Sequence, residues 1–291
     1  MIWSTNSISS PSRADAWLAR LLGAIALAVA VLLGLVLAFL SKESWPVLRD
    51  GGWAHLFRDD GWFPASGRFN LLPMLWATLA ASIGALALAI PLGLFSAVFS
   101  RFYAPAWLVA PARQAIALLA GIPSVVYGFW GLTVLVPLIA LWEPPGASLL
   151  AGILILALMV LPTVALTSEA ALAAVPASYL RGAAALGLDR KGMVLRVALP
   201  AARRGILAGA LLAAARALGE TMALLMVAGN VVQTPASLFD PVRVLTANIA
   251  LEMAYATGNH RAGLFAAGLL LMAMVTLLAW LAARGGERDH G

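Results

Sequence analysis

The sequence predicts an all-α integral membrane protein with six transmembrane helices, and three observations predict it. First, 62% of the 291 residues are hydrophobic and 11% charged, at a mean hydropathy of +0.93. That balance would leave a water-soluble domain with an apolar exterior, so lipid is the expected solvent. Second, six apolar segments, at 17–40, 74–100, 115–141, 147–168, 206–229 and 262–283, are long enough to cross about 30 Å of hydrocarbon. Third, the connections between them alternate in basic charge. The N-terminal tail (with Arg20 at the edge of the first helix), the stretches near 101–114 and 169–205 and the C-terminal tail hold 12 Lys/Arg, whereas 41–70, 142–146 and 230–261 hold six. Basic loops stay on the cytoplasmic side, so the expected protein is a multi-pass cell (inner) membrane protein with both termini cytoplasmic.

In chain order, the Ser-rich residues 1–16 are expected as a disordered cytoplasmic tail. The segment 17–40 is too long for a signal-peptide core and lacks a small-x-small cleavage site, so it is expected to stay as the first transmembrane helix. Residues 41–70 carry four basic and four acidic residues with Trp45, Trp53 and Trp62 between them, which suits an external loop partly lying on the membrane interface. Residues 71–283 form a core of five transmembrane helices, and 284–291 a cytoplasmic tail. Proline and glycine interrupt the spans at Pro91 and Gly93, Gly121 and Pro123, Pro137, and Pro162. Such breaks free backbone groups that neighbouring helices or a water-filled cavity must satisfy, as in transport proteins. No internal repeat and no second domain is evident.

Several function classes are disfavoured. The chain has no cysteine, and His55, His260 and His290 are isolated, without the spacing of metal ligands, so neither a metal nor another cofactor is expected. Neither Lys42 nor Lys191 lies in a G-x-x-x-x-G-K-[ST] loop, so no ATP site is expected in this chain. Ser and Thr residues lack a nearby His or Lys base, which leaves little for a membrane enzyme. The pI near 10.5 could suggest nucleic acid, but the arginines that raise it concentrate in the loops expected to be cytoplasmic, and no nucleic-acid partner is expected.

Two features carry mechanism. Arg216 and Glu220 interrupt an apolar span, where an ionised side chain costs about 2.5–3.5 kcal/mol on insertion scales. At i and i+4 of one helix they could neutralise each other inside a bundle, or they could serve a substrate, ion or proton path. Ser124 and Tyr127, beside the Gly121–Pro123 break, and Thr221 add hydroxyls that could line such a path or bond backbone carbonyls. The second feature is the loop 169–205. Pro176 can open a short helix, Gly187 end it, Asp189 N-cap a second and Pro200 mark that one's end. The first of these helices would place Tyr179, Ala183 and Leu186 on one side, a small apolar surface for a soluble partner.

Gly187, nine residues, Val197, one residue and Leu199-Pro200 resemble the G-x9-I-x-L-P half of the loop signature of ABC-importer permeases. Leu119 to Leu132 (LAGIPSVVYGFWGL), Arg216 to Met222 (RALGETM), Gly229-Asn230, Leu238-Phe-Asp-Pro241 and the region from Asn248 to Glu252 resemble phosphate-specific importer permeases, closer to the PstC type than to PstA. The resemblance covers about residues 70–283. It implies the type I permease fold, with the 176–200 loop docking on an ATPase through Tyr179, Arg181, Gly182, Ala183, Leu186, Gly187, Leu199 and Pro200. It also implies a substrate path through Arg216, Glu220, Thr221, Ser124 and Tyr127. The implied partners are a related permease forming a heterodimer, two ATP-binding ATPase subunits, an extracytoplasmic phosphate-binding protein, phosphate and membrane lipid. One departure stands out: the signature's Glu-Ala-Ala, six residues before the glycine, is here Arg181-Gly182-Ala183, and the Glu169-Ala170-Ala171 string lies at the wrong distance. Arg181 is expected to pair instead with an acidic residue of the ATPase. The alternatives are the same machine carrying sulfate or molybdate, and a secondary transporter using Arg216 and Glu220 as a proton relay. Lacking a nucleotide site, the purified chain should neither bind nor hydrolyse ATP; phosphate release by the pure chain above a blank would contradict this.

Overall fold

In the computed structural model, which describes residues 13–287, the chain is nearly all helix around one short hairpin. Helix α1 (Arg13–Arg58) contains Pro46 and breaks at Gly52, whose φ of 66° and ψ of −175° are not helical. It leads into strands β1 (Trp62–Phe63) and β2 (Arg68–Phe69), paired antiparallel with Trp62 opposite Phe69. There follow α2 (Leu72–Val98), α3 (Ala106–Gly121), α4 (Ser124–Trp130), α5 (Val136–Ala140) and α6 (Leu149–Ala173). The second half holds α7 (Ala177–Ala185), α8 (Arg190–Met193), α9 (Leu199–Leu218), α10 (Met222–Val227), α11 (Leu245–Glu252) and α12 (Gly258–Glu287). Among the described residues five continuous helices have the length and apolarity of a membrane span, and the bent pair α3 plus α4–α5 makes a sixth.

Where the chain departs from expectation, the causes are local. The loop expected at 41–70 is helical to residue 58, because Val47 and Leu56 are buried against the hairpin and the Ser44 hydroxyl donates to the Ser41 carbonyl at 3.1 Å. Residues 13–16 of the expected N-terminal tail already belong to α1, with Asp15 favourably placed at its positive end, while 1–12 lie outside the described residues. Residues 284–287 of the expected C-terminal tail continue α12 past its apolar stretch, and 288–291 lie outside the described residues. The span expected at 206–229 instead forms a helix from Arg190 to Leu218, a break, and the short α10.

Proline explains much of this irregularity. Pro123 follows the extended Ile122, the conformation that a residue before proline prefers, and the chain turns there by 93°. The Tyr127 hydroxyl donates to the Leu119 carbonyl at 2.8 Å and ties the two sides of that bend together. Pro137 and Pro200 each follow a five-residue π turn, Gly131–Leu135 and Val194–Ala198. A proline ring collides with the carbonyl four residues earlier in a regular helix, and the wider turn moves that carbonyl aside. Pro200 therefore does not end its helix, contrary to the sequence expectation.

Helix α6 is the centre of the bundle, packed against α2 and α9. Small residues set the spacing. Ala77, Ala81, Ala85 and Ala89 recur every fourth position of α2 and are all buried. A Cβ on Gly93 would come 2.9 Å from Val164, and one on Gly205 would come 2.5 Å from Ala171. Without water to drive association, such close backbone approach is how membrane helices gain packing energy. The α2 N-terminus shares a core with the hairpin, α11 and α12, whereas its C-terminus packs on residues 172–202. The hairpin and the α7–α8 loop thus mark opposite ends of the bundle.

Gly128 brings α4 against α10: a Cβ there would lie 2.9 Å from Ala223 Cα and 2.9 Å from Met226 Sδ. Gly128→Val should overpack this contact and destabilise the protein by about 1–3 kcal/mol. By contrast, Gly182→Ala, with no atom within 4 Å of its Cβ, should leave stability unchanged or slightly raised. Thermal unfolding of both variants in detergent checks the contrast.

Candidate functional site

The α9–α10 break lies between two helix ends of opposite polarity. Arg216 occupies the last turn of α9, where a cation is favourable, and Glu220 precedes α10, where an anion is. Glu220 Oε1 accepts the Ala223 N–H at 3.1 Å, capping α10, and its backbone carbonyl accepts the Thr246 hydroxyl at 2.7 Å. Each charge is thus matched to a helix end. The i, i+4 pairing weighed from sequence does not form, because the helix stops at Gly219: no ion pair joins Arg216 to Glu220 among the described residues. Arg216 is exposed and forms no hydrogen bond among the described residues, so its guanidinium points to a surface that no other described part of the chain covers.

Of the other residues expected on the path, Thr221 lies in the break and donates to the Gly219 carbonyl at 3.3 Å. Helix α4 packs on α10 through Gly128, which brings Tyr127 near the break. Tyr127 is buried and its O–H is already committed to Leu119, so it can only accept a further hydrogen bond; Ser124, one turn earlier, is half-buried.

At the opposite end of α9, α7 and α8 form the expected helix-turn-helix. Gly187 adopts a φ of 78° and Asp189 caps α8 by accepting the Gly192 N–H at 2.9 Å. Tyr179 (57% exposed) and Leu186 (82%) face outward, with Arg181 and Gly182 also exposed. Ala183, expected on that outer surface, is only 5% exposed, because α7 turns it inward and packs it under the loop. Leu199 is half-buried and Pro200 exposed at the start of α9. Arg190 stacks over the Tyr103 ring at 5.7 Å, joining the loop to the turn after α2. A cavity of about 550 Å³ runs beside Gly187, Leu188 and Lys191.

Sequence reasoning missed a polar cluster at the hairpin end. Glu252 Oε1 accepts from Arg243 Nη1 at 2.6 Å, while Glu252 Oε2 accepts from Trp62 Nε1 at 2.8 Å and lies 2.8 Å from His260 Nε2. Arg243 also donates to Asn248 Oδ1 at 3.0 Å and, through Nε, to the Asn230 carbonyl at 2.9 Å. The one available signal was an acidic residue, Glu252, within the apolar run of α11.

Residues 89–285 match the family described as "Binding-protein-dependent transport system inner membrane component". The chain is 35% identical over 281 residues to the phosphate transport system permease protein PstC of Mesorhizobium japonicum, covering 89% of this chain and 86% of that protein. It is 33% identical over 274 residues to PstC of Pasteurella multocida, covering 87% and 85% of the two chains. It is also 39% identical over 233 residues to the probable ABC transporter permease protein YqgH of Bacillus subtilis, covering 77% and 75%. In fold it is similar to a chain of the inward-facing MetNI methionine ABC transporter, with a TM-score of 0.56 at 20% identity, over 74% of this chain and 91% of that one. A transport component of this kind, multi-pass in the inner membrane and not itself an enzyme, works with partner ATPase subunits and a substrate-binding protein. The family match and the permease relatives together cover most of the sequence, and the chain belongs to the binding-protein-dependent transport system inner membrane components.

Proposed function

We propose that the chain is the permease subunit of an ATP-driven phosphate importer. The observation that carries the cargo assignment is the 35% identity, across 89% of the chain, to a protein named as a phosphate transport permease. In this reading the chain forms a heterodimer with a related permease, and the surface carrying Arg216 faces that partner across the path. One of two ATPase subunits docks on the α7–α8 loop, with Arg181 against an acidic residue of that ATPase. A phosphate-binding protein delivers cargo at the hairpin end, and both termini are cytoplasmic.

The chemistry at the break supports this cargo. An arginine fork can donate two parallel hydrogen bonds to two oxygens of a tetrahedral anion, a geometry lysine cannot copy. Mono- and dihydrogen phosphate also carry an O–H that a carboxylate can accept, whereas fully ionised sulfate has none. Glu220 uses one carboxylate oxygen on the Ala223 N–H and keeps the other for this purpose. The continuous helix from Arg190 to Leu218, 29 residues long, connects the docking loop to Arg216 as one rod. Movement imposed on the loop by ATP hydrolysis is thereby delivered to the anion-binding side chain.

Two substitutions test the proposal in proteoliposomes containing the assembled complex and the loaded binding protein. Arg216→Lys should lower phosphate uptake per complex about tenfold, the loss of roughly one charge-assisted hydrogen bond. Glu220→Gln should lower the flux and narrow the phosphate-over-sulfate preference. Uptake driven by an ion gradient and persisting without ATP would remove the importer reading, and sulfate or molybdate uptake that phosphate fails to compete would remove the cargo assignment.

A further inference from the structure

Glu252 is 8% exposed, and among the described residues it is the only buried acidic or basic side chain. A buried carboxylate is costly unless donors surround it, and here three do, each from a different segment. Trp62 comes from the hairpin, Arg243 from the connection after α10, and His260 from the first turn of α12. Open cavities of about 510 and 580 Å³ flank the cluster, beside the core that the hairpin, α11 and α12 share.

The cluster is mechanically joined to the α9–α10 break by two routes. Glu252 ends α11, an eight-residue helix about 12 Å long, whose second residue, Thr246, donates to the Glu220 carbonyl at 2.7 Å. Leu245 N–H is also fixed, donating to Thr78 Oγ1 of α2 at 3.0 Å. The other route runs through Arg243, held by Glu252, to the carbonyl of Asn230, which leaves α10 at a φ of 57°. One route thus reaches the break at Glu220 and the other the far end of α10 at Asn230, and both lead to one carboxylate. On the hairpin, Trp62 is anchored inward while its neighbour Phe63 is exposed beneath Arg68, 5.1 Å from the ring.

We infer that Glu252 is a positioning residue of transport: its carboxylate couples the 62–69 hairpin to α11 and so sets the geometry of the Glu220 break. The inference rests on the importer reading for its link to uptake, but the coupling can be read without any cargo. The test is hydrogen exchange of the complete complex in nanodiscs, comparing Glu252→Gln and Trp62→Phe with the parent. Glutamine keeps the shape and removes the charge; phenylalanine keeps an aromatic ring and removes only the N–H. Both substitutions should speed amide exchange at 219–225 about fivefold, the equivalent of one ordinary hydrogen bond. In the double variant the effects should not add, because both remove the same contact. Maximal uptake per assembled complex should fall in step, with an unchanged half-saturating concentration of loaded binding protein. Faster exchange confined to the hairpin and 243–262 would overturn the inference, as would additive effects in the double variant. Should Glu252→Gln fail to assemble, Trp62→Phe alone decides by the same exchange at 219–225. Absent phosphate uptake in the parent complex would refute the importer reading while leaving the exchange result to judge Glu252.

Discussion

Glu220 is held at both its side chain and its backbone, and the geometry of the α9–α10 break follows from that. The carboxylate caps α10 through the Ala223 N–H, and the carbonyl, which no longer has a helical partner beyond Gly219, is taken by Thr246. Hydrocarbon cannot solvate backbone groups freed by a broken helix, so the break can exist only because these two bonds replace the lost ones. The same break gives Arg216 and Glu220 separate helix ends to balance them, which leaves the arginine fork without a partner among the described residues. An anion can therefore be met by a guanidinium that does not first have to leave a carboxylate.

The prolines divide the chain into rigid and bent parts. At Pro137 and Pro200 a π turn precedes the ring and the helix continues, and the helices also run unbroken through Pro91 and Pro162, where the sequence suggested interruptions; at Pro123, which follows the extended Ile122, the chain turns by 93°. Continuity through Pro200 makes α8 and Arg216 parts of one helix. Close contacts of that helix with α6, at Gly205 on Ala171 and Gly209 on Thr167, mean that it can shift only together with its neighbour or by sliding along it. Small residues thus hold the long helix close against α6.

The spans were legible because apolar runs of their length have few other uses, and the bend at Gly121–Pro123 was legible because proline removes a donor. Arg216 and Glu220 stood out as charges in an apolar run. The break between them did not, since a single Gly219 in a helical pattern carries little signal and the bond from Thr246 that stabilises it comes from 26 residues away. The Glu252 cluster was less legible still. Trp62 and Glu252 are 190 positions apart, and Trp62 has the composition of an interfacial anchor until the fold brings it to a carboxylate. Ala183 was misplaced because, in a nine-residue helix, packing against the rest of the bundle decides which face turns inward.

In the proposed function Arg216 and Glu220 act on the moving anion and are not retained for the stability of the bundle. Phosphate uptake per assembled complex tests this most directly in the double replacement Arg216→Met/Glu220→Gln, which removes both charges while the glutamine Oε1 can still accept the Ala223 N–H and cap α10. A complex that assembles and retains its ATPase subunits, with uptake reduced to the level of empty liposomes, is expected. Uptake by that uncharged pair at the parent rate would refute the role.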